Sequence, residues 1–214
     1  MEISTLILVF DCIGIVAFTL MGYILASKMQ FDLLGIIFIA FSTAFAGGVF
    51  RDIIVDRVPF VFEHTYPLSI ALLTVFIAYI SKLHYSQKVS ENRLFLVSDS
   101  IGMNTFAITG GLIALEHNFN LGGIVFLALM TAIGGSIVRD IIMNKTPYFL
   151  KNEFYGTIAI MNGMLIWLFD KLNLITNITI IFILLFGVFL RLMAIKYHWK
   201  LPSIKYKQET IDEK

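Results

Sequence analysis

The sequence predicts an all-α integral membrane protein with seven transmembrane helices, the first six of which form an inverted 3+3 repeat. Three observations support this fold class: the composition, the number of apolar runs and a pattern that occurs twice. Of the 214 residues, 58% are hydrophobic and 14% are charged, whereas soluble domains are usually about half apolar and about a quarter charged. Most of the chain is therefore expected to lie within the bilayer.

Seven runs are apolar enough to be spans, since a helix needs ~20 mostly apolar residues to cross a bilayer. The first run is not preceded by positive charge and is too long for a signal peptide, so we interpret it as the first helix. In chain order the runs cover 3–26, 31–54, 66–83, 94–115, 121–143, 154–169 and 175–195.

The repeat is visible when the sequence is shifted by 88 residues, because the same residue types then align across both halves. Each unit holds three spans, an odd number, so the second unit enters the membrane with the opposite polarity. The aligned pairs include Asp11 with Asp99, Gly22 with Gly110, Gly35 with Gly123, Thr43 with Thr131, Arg51 with Arg139 and Pro59 with Pro147.

The predicted organisation is one transmembrane domain over residues 1–202. It contains repeat 1 at 3–83, repeat 2 at 91–172 and a seventh helix at 175–198, and a polar cytoplasmic tail follows at 203–214. Lys and Arg residues of the connectors gather on the side opposite the N-terminus. By the positive-inside rule we expect a multi-pass protein of the cell (inner) membrane with its N-terminus outside and its C-terminus in the cytoplasm.

The most unusual stretch is 46–52, Ala-Gly-Gly-Val-Phe-Arg-Asp, which recurs at 134–140 as Gly-Gly-Ser-Ile-Val-Arg-Asp. Glycine loosens a helix, and charge inside a bilayer is costly. Because broken helices at corresponding positions of two repeats mark binding sites, we predict that helices 2 and 5 are broken at Gly-Gly. The alternative is two ordinary helix ends whose arginines snorkel to the headgroups.

A broken helix would present backbone carbonyls without intrahelical partners, and these carry partial negative charge. Such carbonyls, with two Thr hydroxyls, are predicted to replace part of the hydration shell of a transient potassium or sodium ion. The predicted pore and kink residues are Thr43, Ala46, Gly47, Gly48, Thr131, Gly134, Gly135 and Ser136.

Two carboxylates, Asp11 and Asp99, lie inside apolar runs, where an ionisable residue is a functional candidate that needs a partner. The predicted topology places Asp11 in one leaflet with Arg51, and Asp99 in the other with Arg139. We therefore hypothesise two symmetry-related ion pairs, although the sequence leaves open which Asp pairs with which Arg. The alternative is that each Asp only stabilises a helix N-terminus. The predicted gate or charge network consists of Arg51, Asp52, Arg139, Asp140, Asp11 and Asp99.

Other kinds of site receive no support from the sequence. The single Cys12 has no intrachain partner, and the four His residues lack metal-ligand spacing. No familiar catalytic motif and no basic cluster with interleaved aromatics is present. We therefore expect no enzyme activity, no cofactor, no resident metal and no nucleic-acid partner.

The doubled motif in spans two and five resembles the prokaryotic branch of the trimeric intracellular cation (TRIC) channel family. The run from Arg191 through Ala194 and Trp199 to Pro202 supports the resemblance, whereas Ala46 stands where the family often has a third Gly. The resemblance implies a membrane-embedded homotrimer with one pore per protomer at helices 2 and 5, permeable to potassium and other monovalent cations. The alternative is a secondary transporter of a small amino acid such as glycine, since inverted repeats also suit alternating access.

Overall fold

The computed structural model describes residues 3–83, 89–151 and 154–199, and within these ranges the chain forms nine helices and no strand. Seven long helices coincide with the seven predicted spans, which confirms the predicted all-α membrane fold. Two four-residue helices, α3 and α7, follow α2 and α6. The tail at 203–214 lies outside the described residues. The helices are α1 (Ile3–Lys28), α2 (Leu33–Ile54), α3 (Phe60–Glu63), α4 (Tyr66–Ile80), α5 (Val89–Glu116), α6 (Leu121–Ile142), α7 (Tyr148–Lys151), α8 (Tyr155–Lys171) and α9 (Asn177–Lys196).

The helices differ in how far they are enclosed by the bundle. Within the described ranges, α1, α2, α6 and α9 are long and apolar enough to cross a membrane by length and composition alone. The least apolar long helix, α5, packs against α1, α6, α8 and α9. Its polar side chains, among them Asp99, Asn104 and Thr109, are therefore buried against protein. The bundle thus has a polar interior as well as an apolar exterior.

The N-termini of α2 and α6 are built alike. Asp32 precedes α2, and its carboxylate accepts a hydrogen bond from the Gly35 amide at 2.7 Å. Asn120 precedes α6, and its side-chain oxygen accepts from the Gly123 amide at 2.9 Å. Both are N-caps, which satisfy an amide that has no partner within the helix. These two caps lie 88 residues apart.

The predicted breaks in helices 2 and 5 are wrong, because α2 and α6 are continuous α-helices through both Gly-Gly pairs. No described glycine has a positive φ. The glycines instead allow contact between the two helices. A Cβ at Gly47 would collide with the Thr131 carbonyl oxygen, and one at Gly135 would collide with that of Thr43. Missing side chains let helix backbones approach this closely, and such contacts are typical of weak Cα–H···O bonds.

This contact, here called the α2–α6 crossing, changes the predicted role of the carbonyl groups. The Thr43 and Thr131 carbonyls lie inside continuous helices, so they do not form the open half-helix ends that the sequence predicted. Gly134 completes the crossing, since a Cβ there would lie 3.0 Å from the Gly47 Cα. In this conformation the backbones of α2 and α6 touch directly.

Candidate functional site

Two clusters of buried charge lie on opposite sides of the α2–α6 crossing. The first, the Arg51 cluster, consists of Asp11 in the first half of α1, Arg51 and Asp52 near the end of α2, and Arg57. The second, the Arg139 cluster, consists of Asp99, Arg139, Asp140, Tyr155 and Arg191. Arginines at the ends of antiparallel helices place the clusters at opposite faces of the bundle.

Arg51 is surrounded by oxygen acceptors. Its Nη1 donates to both carboxylate oxygens of Asp11, at 2.8 and 3.0 Å, and to the Thr109 hydroxyl at 3.1 Å. Its Nε donates to Asp52 at 2.8 Å. Only 1% of the Arg51 surface is exposed, so desolvation of the guanidinium is offset by these charged partners. The hypothesised Arg51–Asp11 ion pair is confirmed, and Asp52 is a second partner.

Asp52 also organises the segment that follows α2. Its Oδ1 accepts from Arg57, whose Nη2 lies at 2.7 Å, and its Oδ2 accepts from the Phe60 amide at 2.9 Å. One carboxylate thus contacts two arginines and the first residue of α3. Asp52 therefore links the buried Arg51 to the segment between α2 and α3.

Arg139 has a different set of contacts from Arg51. Its Nε donates to Asp140 at 2.8 Å and its Nη2 lies 2.7 Å from the same oxygen. Its Nη1 donates to the thioether of Met21 at 3.5 Å. Within the described part of the chain, Arg139 forms no ion pair with Asp99, so the hypothesised second pair is wrong.

Asp99 is bound by two side chains from other helices. It accepts a hydrogen bond from the Tyr155 hydroxyl at 2.9 Å, and it lies 3.5 Å from Nη2 of Arg191. The Arg191 guanidinium stacks over the Tyr155 ring at 4.7 Å, an arrangement that contributes a cation–π attraction. Because α9 lies outside the repeat, its arginine replaces the partner that symmetry predicts.

The hydroxyl groups of the predicted polar residues at the crossing donate hydrogen bonds within their own helices. The hydroxyls of Thr43 and Thr131 donate to carbonyls four residues earlier, at 2.7 and 2.6 Å. Ser136 donates to a carbonyl three residues earlier at 2.8 Å. All three are buried, whereas Ala46 and Gly48 are half-buried. The Thr hydroxyl oxygens therefore keep lone pairs that can accept a hydrogen bond or contact a cation.

Two adjoining cavities lead to the Arg51 cluster. The outer one, here called the vestibule, is lined by Ser4, Asp11, Arg57, His64, Glu116 and neighbouring mostly apolar residues. The inner one is much smaller and is lined by Asp11, Gly48, Arg51, Asp52 and mostly apolar neighbours. Asp11 borders both cavities. Together the two cavities extend from this face to Arg51, near the crossing.

The sequence did not predict three members of these clusters, Arg57, Tyr155 and Arg191, or the Thr109 contact with Arg51. Thr109 and Tyr155 carried no charge to mark them, and Arg57 was interpreted as a connector residue. Arg191 belongs to the C-terminal run and to the positive charges of the C-terminal end, and neither pattern predicts its place beside Asp99. An arginine within an apolar span is itself a signal, since such residues usually face the bundle interior and a partner.

Long apolar helices around two enclosed charge clusters define a multi-pass membrane protein with a polar interior, the class that includes channels and carriers. The family model described as Glycine transporter matches residues 8–82 and again residues 96–171. This chain belongs to that family. The two matched segments begin 88 residues apart, at the spacing of the repeat.

Bacterial relatives match nearly the whole chain. The UPF0126 membrane protein YvgT of Bacillus subtilis (strain 168) is 32% identical over 200 residues, which are 91% of this chain and 95% of the relative. The UPF0126 inner membrane protein YadS of Escherichia coli (strain K12) is 26% identical over 197 residues, 90% of this chain and 93% of the relative.

Solved structures share the fold. One, described as showing the structural basis for conductance through TRIC cation channels, has a TM-score of 0.81 and 30% identity, covering 94% of this chain and 98% of that chain. Another, a prokaryotic TRIC channel crystallised in 0.5 M KCl, has a TM-score of 0.85 and 24% identity, covering 92% and 100%. The predicted relationship to the TRIC family is confirmed. These neighbours are channels, which also confirms that the chain is not an enzyme.

Proposed function

We propose that this protein is a channel for monovalent cations, potassium among them, with a path through each protomer beside the α2–α6 crossing. The observation that carries the proposal is the buried Arg51–Asp11 pair, which lies at the inner end of a polar vestibule in a fold shared with TRIC cation channels. Buried charges of this kind are costly in a membrane and usually mark an ion pathway.

The α2–α6 crossing is the proposed closed point of the path. At the crossing, Gly47 and Gly135 contact backbone oxygens of the facing helix. Separating α2 from α6 would therefore expose the Thr43 and Thr131 oxygens along a new gap. Arg51 and Arg139 would repel a bare cation, and their paired carboxylates neutralise that repulsion.

The vestibule favours cations over anions without binding them tightly. It contains the carboxylates of Asp11 and Glu116, while Arg57 is paired with Asp52. Conduction requires a site attractive enough for an ion to enter and weak enough for it to leave. A few partly neutralised carboxylates meet that requirement for a monovalent ion.

We also propose the assembly and topology. The protein forms a homotrimer in a lipid bilayer, by relation to a solved TRIC trimeric channel orthologue from Rhodobacter sphaeroides (TM-score 0.83, 24% identity, covering 91% of this chain and 99% of that chain). Residues 3–83 and 91–172 form inverted repeats, followed by the seventh helix at 175–198. The matching caps of α2 and α6 and the two family-model matches support the repeat. The N-terminus lies outside, and the C-terminus lies in the cytoplasm.

Glycine transport is the alternative that the family model's description raises. A carrier for glycine needs a site for a carboxylate, such as an unpaired cation or the open N-terminus of a broken helix. Here Arg51 and Arg139 each contact a carboxylate, and α2 and α6 are continuous. The geometry therefore favours the channel.

The deciding experiment uses purified protein in planar bilayers under a potassium chloride gradient. A channel gives discrete current steps that reverse near the potassium equilibrium potential. The matched measurement is uptake of radiolabelled glycine by proteoliposomes from the same preparation. Saturable glycine uptake without unitary currents would overturn the proposal in favour of a carrier.

A further inference from the structure

The two motif arginines occupy corresponding positions but are held unequally. The 88-residue shift that relates Arg51 to Arg139 also relates Thr109 to Met21. Nη1 of Arg51 has three oxygen acceptors, whereas Nη1 of Arg139 has the thioether of Met21. A thioether sulfur is a weak acceptor, so Arg139 depends mainly on Asp140.

Arg139 lacks a counterpart of the Asp11 carboxylate because the corresponding residue, Asp99, is bound elsewhere. Asp99 corresponds to Asp11, yet it accepts from Tyr155 of α8 and faces Arg191 of α9. By this correspondence Asp99 is the carboxylate that would pair with Arg139, as Asp11 pairs with Arg51. The helix outside the repeat therefore competes with Arg139 for the same acidic group.

We propose that Met21 and Arg191 are positioning residues that make the Arg139 side of the path the moving gate, while the Arg51 side is a fixed constriction. Arg191 holds Asp99 away from Arg139, and Met21 supplies no oxygen in its place. Less is therefore lost when Arg139 and α6 move than when Arg51 and α2 move. This inference rests on the proposed path beside the α2–α6 crossing.

The first test replaces Met21 with the residue found at the corresponding position. Met21→Thr gives Arg139 the hydroxyl that Thr109 gives Arg51, and Met21→Val is the matched control with the same shape but no oxygen. A hydrogen bond to a charged group shifts an equilibrium by about tenfold or more. In single-channel recordings we expect the open-to-closed ratio of Met21→Thr to fall about tenfold relative to Met21→Val, at unchanged unitary conductance.

The second test does not depend on current. In a Cys12→Ala background, Ser136→Cys reports on α6 one turn before Arg139, and Gly48→Cys reports on the corresponding site of α2. Ser136 is buried, so its labelling by a water-soluble thiol reagent in detergent requires opening. We expect Met21→Thr to slow labelling of Ser136→Cys about tenfold and to leave Gly48→Cys unchanged.

The third test examines Arg191 with a compensating change. Arg191→Gln releases Asp99 to pair with Arg139, so labelling of Ser136→Cys should slow, and adding Asp99→Asn should restore it because no carboxylate remains to hold Arg139. If the threonine and valine variants of Met21 label alike, or if Asp99→Asn fails to restore labelling, the gate assignment is overturned. The expected labelling without any cation current would support the gate and overturn the channel. Normal current with labelling unaffected by Met21→Thr would do the reverse.

Discussion

Arg51 shows how a full positive charge is accommodated beside the inner cavity. Two carboxylates contact it, from Asp11 on α1 and Asp52 on its own helix, and Asp52 is shared with Arg57. The four side chains together carry two positive and two negative charges. Removing one member leaves a buried charge without compensation, which costs more than the intact network contributes.

The Arg51–Asp11 pair gives the first prediction. Asp11→Ala should lower the free energy of unfolding by about 3–5 kcal/mol, because it leaves a buried guanidinium short of a partner. The Arg51→Ala, Asp11→Ala double variant should be less destabilised than the sum of the two single variants, since the pair interacts directly. Thermal or denaturant unfolding in detergent measures each corner of the cycle.

The same cycle on Arg139 and Asp99 is the matched comparison. These residues form no direct ion pair, so their coupling should be weaker than that of Arg51 and Asp11, whereas Asp99 and Arg191 should be coupled. Equal coupling energies for both symmetry-related pairs would contradict the unequal arrangement seen here.

Thr109 gives the second prediction. Thr109→Val keeps the side-chain shape but removes the hydroxyl that Arg51 contacts at 3.1 Å, so it should cost about 1.5–3 kcal/mol of unfolding free energy. Thr105→Val is the control on the same helix, since the Thr105 hydroxyl bonds carbonyls of α5 alone, at 3.0 Å. An equal loss of unfolding free energy in both variants would show that the contact with Arg51 does not add to stability.

At the scale of helices, α2 and α6 pack closely because glycines at their contact have no side chains. Gly47 contacts the Thr131 carbonyl and Gly135 contacts the Thr43 carbonyl, so each helix supplies one glycine and one oxygen. Interiors are packed too densely to absorb an extra methyl group without movement. The separation of the two helices is therefore set by these two positions.

The third prediction uses this dependence. Gly47→Ala and Gly135→Ala should force α2 and α6 apart, cost about 1–3 kcal/mol of unfolding free energy, and increase the leak of potassium from loaded proteoliposomes. Gly48→Ala is the matched control, because an added Cβ there comes no closer than 3.8 Å to its nearest neighbour, Arg51. If the potassium leak of the Gly47→Ala and Gly135→Ala variants does not change, these glycines do not border the path.

The sequence predicted the spans well because burial in lipid depends on composition along the chain, which a sequence displays directly. It mispredicted the Gly-Gly segments because a glycine that breaks a helix and a glycine that allows close helix contact cannot be distinguished in a sequence. Only the facing carbonyls of Thr43 and Thr131 show which property is used. It predicted the partner of Arg51 but not that of Asp99, because the repeat contains no information about a helix outside it.

At the scale of the whole molecule, α9 makes the two halves inequivalent. It packs where Asn162 of α8 donates to Asn104 of α5 at 2.8 Å. Gly187 of α9 lies against this amide pair, where a Cβ would collide with the Asn104 oxygen. One turn further along α9, Arg191 reaches Asp99. The fit of the seventh helix against a polar contact thus positions the arginine that alters the second cluster.

The proposed inverted repeat gives the last prediction, which concerns how the whole chain crosses the membrane. Because each unit contains three spans, corresponding connectors should lie on opposite sides. Arg57 and Lys145 are 88 residues apart and follow α2 and α6. An alkaline phosphatase fusion after Arg57 should be active outside the cytoplasm, and one after Lys145 should be inactive. Green fluorescent protein fused at the same two sites is the control, and its fluorescence should show the opposite pattern. If both connectors report the same side, the two halves are parallel, and the crossing of α2 and α6 would need another explanation.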